Sequence, residues 1–136
     1  MTLEQYVDWS EIDSLIIILS DLVRKSSRSF STITTLSRGG LIPARLLADH
    51  LGIQKILVDP KTVSSDSLVV DDIFDSGNTF KKIQSLVDDS SRLFFVTLFA
   101  RRGKQYPNQL VYAKQTNDDG YVVFPWDKLE FQNSQN

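Results

Sequence analysis

Hydrophobic positions along this chain follow two alternating rhythms. From Ser10 onward, Ile12, Leu15, Ile16, Leu19, Leu22 and Val23 recur at helical spacing. That predicts a helix capped by Ser10, with Glu11 and Asp13 in its first turn and Arg24 and Lys25 in its last. The Ser-rich stretch "KSSRSFS" ends it, and "FSTITTL" then reads as a strand through its β-branched residues, stopping at "SRGG". A second helix is expected over Leu41–Leu51, closed by Gly52 in the usual C-terminal position. "IQKILVD" predicts another strand, "DPKTVSSD" a short loop, and "SLVVDDI" a strand apolar on both faces, as central parallel strands are. Residues 78–87 return to the helical rhythm with Phe80, Ile83, Leu86 and Val87 inward, and "RLFFVTLFA" follows as a buried strand. The tail holds two short strands, "LVYAKQ" and "GYVVFPWD", separated by the turn "TNDDG". The polar residues after Phe131 are expected to fray.

Strand, loop and helix in repeated order predict an α/β fold. Its sheet should be open, mostly parallel and flanked by helices, with ligands at the carboxyl ends of its strands. A chain of 136 residues fits one domain, 1–136, with apolar content enough for one core. The net charge of −2 gives no electrostatic reason to expect nucleic acid, so any phosphate must be held locally. Cysteine is absent, which excludes disulfides, thiolate metal sites and a thiolate nucleophile, and suits the cytoplasm. The longest apolar run, "LIIIL", is far short of the roughly 20 residues a membrane span needs. No basic flank precedes an apolar stretch at the N-terminus, so the chain is expected to be soluble and unprocessed, with no membrane partner.

The chemistry concentrates in "SLVVDDIFDSGNT", residues 67–79. A Ser/Thr-rich glycine turn between a strand and a helix N-terminus points several backbone N–H groups at one spot, where the helix dipole also favours an anion. Asp75, Ser76, Gly77, Asn78 and Thr79 have that design: the hydroxyls of Ser76 and Thr79 add donors, and Gly77 lets the backbone close around a phosphate monoester. A simple helix cap by Asp75 or Ser76 is the alternative. Asp71 and Asp72 change the balance. Successive strand side chains point to opposite faces, but at the carboxyl end of a strand both can reach a ligand above the sheet. Two adjacent acids repel each other there, and a divalent cation or a sugar diol relieves the repulsion. A solvated acidic loop competes poorly, because the strand leading to these residues reads as buried.

These residues closely resemble the signature of the type I phosphoribosyltransferases: apolar residues, two acids, a short gap, then an acid and a small-Gly-small-Thr turn. The resemblance implies that residues 75–79 bind the 5-phosphate of phosphoribosyl pyrophosphate. It implies that Asp71 and Asp72 address the ribose hydroxyls directly or through Mg²⁺, and that Asp75 lies near the reacting base nitrogen as the catalytic acid–base group. "TLSRGGLIPARLLADHLG" adds a second match. A Ser-Arg-Gly-Gly turn before a helix offers close backbone approach and a guanidinium, which suits a diphosphate. Here Ser37, Arg38, Gly39 and Gly40 resemble the pyrophosphate loop of the purine-using members, the bacterial xanthine-guanine phosphoribosyltransferases above all. That loop often holds a non-proline cis peptide, expected near Ser37 and Arg38.

The similarity extends over nearly the whole chain. "YVDW" is similar to an opening strand, "FFVTLFAR" to the strand that ends in a base-reading cation, and "YVVFPWD" to the segment covering the purine. By that resemblance Arg101 replaces a lysine that recognises the purine 6-oxo group and Tyr121 replaces a stacking tryptophan, while the Val122 carbonyl receives an exocyclic amine. Trp126 reads more readily as a core aromatic and His50 as a helix-end residue. The implied activity is a Mg²⁺-dependent purine phosphoribosyltransfer from phosphoribosyl pyrophosphate to guanine, xanthine or hypoxanthine, by a homo-oligomer, dimer or tetramer. One departure stands out. Family members carry a long mobile hood between the strand after the pyrophosphate loop and the acidic strand, whereas only "DPKTVSSD" is present here. Either closure comes from a neighbouring subunit or from "RRGKQYPNQ", or catalysis is weakened. The short hood therefore keeps a second class open, a non-catalytic phosphoribosyl- or nucleotide-binding regulatory module. A phospho-receiver domain fits badly, since its acid pair belongs near the start of the chain.

Overall fold

Parallel pairing of apolar strands organises the chain, whose computed structural model describes residues 4–134. The first half runs β1 (Gln5–Tyr6), α1 (Trp9–Lys25), β2 (Thr32–Thr35), α2 (Leu41–Leu51), β3 (Lys55–Val58) and β4 (Ser67–Phe74). The second half runs α3 (Asn78–Leu86), β5 (Phe95–Ala100), β6 (Leu110–Gln115), β7 (Val122–Val123) and α4 (Lys128–Ser134). Five strands form one sheet in the order β3-β2-β4-β5-β6, every neighbouring pair parallel. The open parallel sheet flanked by helices is the α/β fold that the alternating pattern predicts.

Strand periodicity distributes the core over two faces. Leu68 and Val70 of β4 pack with α1 and α2, in a cluster that includes Ile12, Leu15, Leu19, Ala44 and Leu47. Val69, between them in sequence, joins Phe80 and Ile83 of α3 on the other face. With both faces covered, β4 and β5 are apolar along most of their length, and Asp71 and Asp72 interrupt that pattern only where β4 nears its carboxyl end. The order of β2, β4 and β5 therefore brings the ends of three strands, and the loops that leave them, to one rim.

The ends of the chain depart from expectation in instructive ways. Asp8, not Ser10, caps α1: it is the last extended residue, and its carboxylate accepts the Glu11 N–H at 2.8 Å. The predicted tail strand "GYVVFPWD" shortens to β7, which pairs in parallel with β1 as a separate two-stranded ribbon. Past Phe131, where fraying is expected, α4 continues to Ser134, while residues 135 and 136 lie outside the described residues. Phe131 holds this helix in place, its ring lying 6.1 Å from Tyr6 and 5.8 Å from Tyr121.

Neither short connection that might close over the rim is free to do so. Residues 59–66 run down beside α3, where Val63 is buried and exchanges backbone hydrogen bonds with Leu86 and Asp88, and Ser65 N–H donates to Asp88. Residues 101–109 serve as the crossover between parallel β5 and β6, so they run back along the sheet. Tyr106 fixes them there by donating to the Arg101 carbonyl and packing its ring against Phe74 and Tyr112. Among the described residues no helix is long and apolar enough to cross a membrane.

Candidate active site

The rim at the carboxyl ends of β2, β4 and β5 holds two adjoining cavities. The larger, of ≈ 330 Å³, lies between the 37–40 loop and the C-terminal segment, with Arg101, Tyr121, Val122, Phe124 and Trp126 in its wall. That volume falls within the roughly 300–1,000 Å³ of small-ligand sites. The smaller is built from the 75–79 turn with Asp71, Phe80 and Phe95. Asp72, Ile73 and Asp75 line both, so the two cavities share one wall.

The turn at 75–79 forms as its residues dictate. Gly77 adopts φ +87°, a left-handed conformation that costs glycine little, and α3 begins at the next residue. Asn78 N–H donates to the Ser76 hydroxyl, and among the described residues no side chain caps α3 at Gly77. The Ser76 hydroxyl thus takes one first-turn N–H of α3, as the considered cap would, and residues 75–80 also line the smaller cavity.

Asp71 lines only the smaller cavity, whereas Asp72 borders both. Asp71 faces the phosphate-type turn, whereas Asp72 reaches toward the 37–40 loop, where its carboxylate sits so close to Gly39 that a Cβ there would lie 2.7 Å from Oδ2. Their own backbones satisfy them in part: Asp72 N–H donates to Asp71 and Ile73 N–H to Asp72. Burial raises both carboxyls above the ordinary aspartate range, Asp72 well above it, with the neighbouring Asp71 charge adding to the effect. Among the described residues no basic side chain forms an ion pair with either. A divalent cation would offset that burial cost, which makes Asp71 and Asp72 the residues that could hold one.

The 37–40 loop is positioned from two sides. Ser37 and Arg38 are joined by a cis peptide bond, as the family resemblance leads one to expect. Asp59, which follows β3, accepts both the N–H and the hydroxyl of Ser37, and those bonds hold its carboxyl below the usual range. Beneath the loop, Thr35 is fully buried and donates to the Val70 carbonyl, with Gly40 lying directly on that pair. Asp59 and Thr35 escaped the sequence reading, although an acid just after a parallel strand is a signal that could have found Asp59. Arg38 is not free either: its Nε lies 2.9 Å from Glu130 of α4.

Arg101 is far more firmly engaged. Its Nε and Nη2 pair with the Asp75 carboxylate at 3.2 and 3.3 Å, and Nη1 donates to the Asp118 and Gly120 carbonyls at 2.9 Å each. One Nη2 hydrogen is left for a ligand. Arg101 thus ties the acid of the phosphate-type turn to the loop that presents Tyr121, a role the sequence did not suggest. The ribbon of β1 and β7 sets Tyr121 and Val122. The Tyr121 and Val123 carbonyls accept from the N–H groups of Gln5 and Val7, which turns the intervening Val122 carbonyl away from β1. Phe124 and Trp126 stack at 4.9 Å with their planes 6° apart, so Trp126 is both a packed aromatic and part of the cleft wall. His50 is exposed at the end of α2 and offers only its carbonyl, to Arg24.

Tyr121 remains a neutral phenol. Burial, reinforced by the nearby Asp127 carboxylate, pushes it up to about 12, and its hydroxyl lies 3.4 Å from Asp127. Burial likewise raises Asp127. A phenol raised in the fold stabilises it fully below the unfolded value near 10, and that stabilisation is lost as pH climbs toward 12. Urea midpoints at pH 9 and pH 11 should therefore fall less for Tyr121→Phe than for the wild type; equal falls would show that Tyr121 does not titrate late.

Comparisons with known proteins place these features among relatives. No family model matches the chain. It is similar to the xanthine-guanine phosphoribosyltransferase of Chromohalobacter salexigens, 31% identical over 121 residues that cover 74% of this chain and 70% of that protein. It is also similar to the protein of the same name from Gluconobacter oxydans, 27% identical over 144 aligned positions, covering 89% of this chain and 83% of the relative. Among solved structures, Helicobacter pylori xanthine-guanine-hypoxanthine phosphoribosyltransferase matches the fold with a TM-score of 0.77 at 17% identity, covering 97% of this chain and 99% of that one.

Proposed function

Because this chain belongs to the type I phosphoribosyltransferase family, with bacterial xanthine-guanine phosphoribosyltransferases among its relatives, we propose that it transfers the 5-phosphoribosyl group of phosphoribosyl pyrophosphate to a 6-oxopurine. Guanine, xanthine and hypoxanthine are the candidate acceptors, and the products are the nucleoside monophosphate and pyrophosphate. The observation that carries this assignment is the shared wall. Asp72, Ile73 and Asp75 separate an aromatic cleft from a phosphate-type turn, which is where a ribose bridging base and phosphate would lie.

In the reaction, the bond from ribose C1 to the pyrophosphate oxygen breaks with its electron pair leaving on pyrophosphate, and a purine nitrogen forms the new bond to C1. Positive charge develops on the sugar and negative charge on the leaving group, so the work of the site is electrostatic and positional. Backbone N–H groups and hydroxyls of residues 75–79 anchor the 5-phosphate, and Arg38 with the 37–40 loop takes the pyrophosphate. The purine enters the cleft against Tyr121, its exocyclic groups directed to the Val122 carbonyl and to the remaining Arg101 hydrogen. An Asp75 carboxylate oxygen, bonded to Arg101 yet more than half exposed, keeps lone pairs with which to take the proton the purine loses. Asp71 and Asp72 would hold Mg²⁺ together with substrate oxygens; bound there it supplies positive charge against the pyrophosphate and the ribose hydroxyls. The fit is supported by the paired buried carboxylates.

The test is direct. With phosphoribosyl pyrophosphate and Mg²⁺, at least one of the three purines should yield its nucleoside monophosphate, and excess chelator should return the rate to background. Ligand binding with no product at any protein concentration would overturn the transferase and leave a phosphoribosyl-binding module.

A further inference from the structure

Closure of the site is the one requirement of this chemistry that the short connections do not meet. Residues 59–66 are fastened to α3 and residues 101–109 to the sheet. The element that does lie on the rim is α4, and it is loosely held. None of its residues is buried, Leu129 is 48% exposed, and its attachments include the Phe131 ring on Tyr6 and Tyr121 and the ion pair from Glu130 to Arg38. Phe131 is not in the cleft wall whereas Tyr121 and Glu130 are, so the aromatic contact backs the platform and the carboxylate faces the cavity.

We propose that Glu130 is a built-in counter-ion of the pyrophosphate loop, which an incoming diphosphate displaces from Arg38, freeing α4 from the rim. The inference rests on the function proposed above for residues 37–40. Arg38 Nε donates to Glu130 Oε1 at 2.9 Å, and the same guanidinium is what a diphosphate would take. The Arg38 and Glu130 side chains are 60% and 39% exposed, so the pair is solvated and exchangeable. A multiply charged anion held also by loop backbone outcompetes a lone carboxylate, and a Glu130 left beside it is repelled. The resting pair therefore lowers affinity for diphosphate and keeps the arginine in place over the empty cleft. Once displaced, α4 keeps its aromatic anchor but loses its ionic tie to the rim, which leaves it readier to move.

Calorimetric titration with inorganic pyrophosphate and excess Mg²⁺ distinguishes the possibilities, run on the wild type, Glu130→Gln and Glu130→Ala. Both variants should bind pyrophosphate about threefold to tenfold more tightly than the wild type, with the gain shrinking at high salt. A residue that merely held the fold together would weaken binding when removed. In parallel, tryptic cleavage after Lys128 in α4 should accelerate when pyrophosphate is added to the wild type, and should be fast in Glu130→Gln with or without it. Equal affinities together with cleavage indifferent to pyrophosphate would overturn the role of Glu130. Absence of pyrophosphate binding in all three folded proteins would overturn the assignment of the 37–40 loop, and the displacement with it.

Discussion

Asp75→Asn should lose turnover by about 10²–10⁴-fold, the usual contribution of a positioned general acid–base group, while phosphoribosyl pyrophosphate still binds. The amide has the shape of the carboxylate, and the turn behind it is shaped by Gly77 and by α3, neither of which depends on the Asp75 charge. What the variant lacks is an oxygen able to take up a proton. The complication is Arg101, whose side chain is 9% exposed and would lose its anionic partner. Arg101→Gln and the double variant resolve this through a mutant cycle. If Asp75 serves only to hold Arg101, the double variant should be no slower than Arg101→Gln alone. If Asp75 handles the proton, a further large loss should appear. An Asp75→Asn enzyme at the wild-type rate would remove Asp75 from the chemistry.

Gly40→Ala should be the most damaging single methyl group in the molecule. The added Cβ would overlap Thr35 Oγ1 and lie 2.8 Å from the Val70 carbonyl and 3.4 Å from Asp71 Cα. Thr35 is fully buried and its hydroxyl is committed to Val70, so little can give way except the loop itself. Overpacking of this sort costs about 1–3 kcal/mol, a fall in Tm on the order of 5–10 °C for a domain of this size. Displacing the loop by even ~1 Å should also reduce turnover by about 10²-fold. Gly39→Ala makes a useful contrast. The nearest atoms its Cβ would meet are those of the Asp72 carboxylate, the end of a side chain rather than backbone. Activity should fall there with Tm nearly unchanged. Similar Tm losses for the two variants would show that the floor beneath Gly40 is softer than its contacts imply.

How much was legible beforehand depended on how local each cause is. The alternation of strands and helices was read from side-chain period, and Leu41–Leu51 was placed to the residue because Gly52 supplies a left-handed stop at φ +69°. The turn at 75–79 was recognisable because its glycine and its small polar residues are neighbours in sequence. The cap of α1 was misplaced by two residues, since Asp8 and Ser10 are both good caps and only the position of β1 decides between them. The tail was read as two short strands separated by a turn, and the second shortens to β7 and pairs with β1 at the other end of the chain. Short strands carry no mark of their partner, and α4 is placed by long-range contacts, Phe131 on rings from both ends of the chain and Glu130 on Arg38.

The amino-acid sequence by itself therefore determined the parallel α/β order, the phosphate-type turn and the acid pair at the end of β4, because periodicity and turn chemistry act over a few residues. The tertiary structure alone decided what each charged side chain meets. Asp59 holds Ser37, Arg101 joins Asp75 to the 118–120 loop, and Glu130 faces Arg38 across 92 positions of chain. Such pairings follow from how the sheet is ordered and how its connections are packed, and a side chain carries no local trace of a partner that only folding brings within reach.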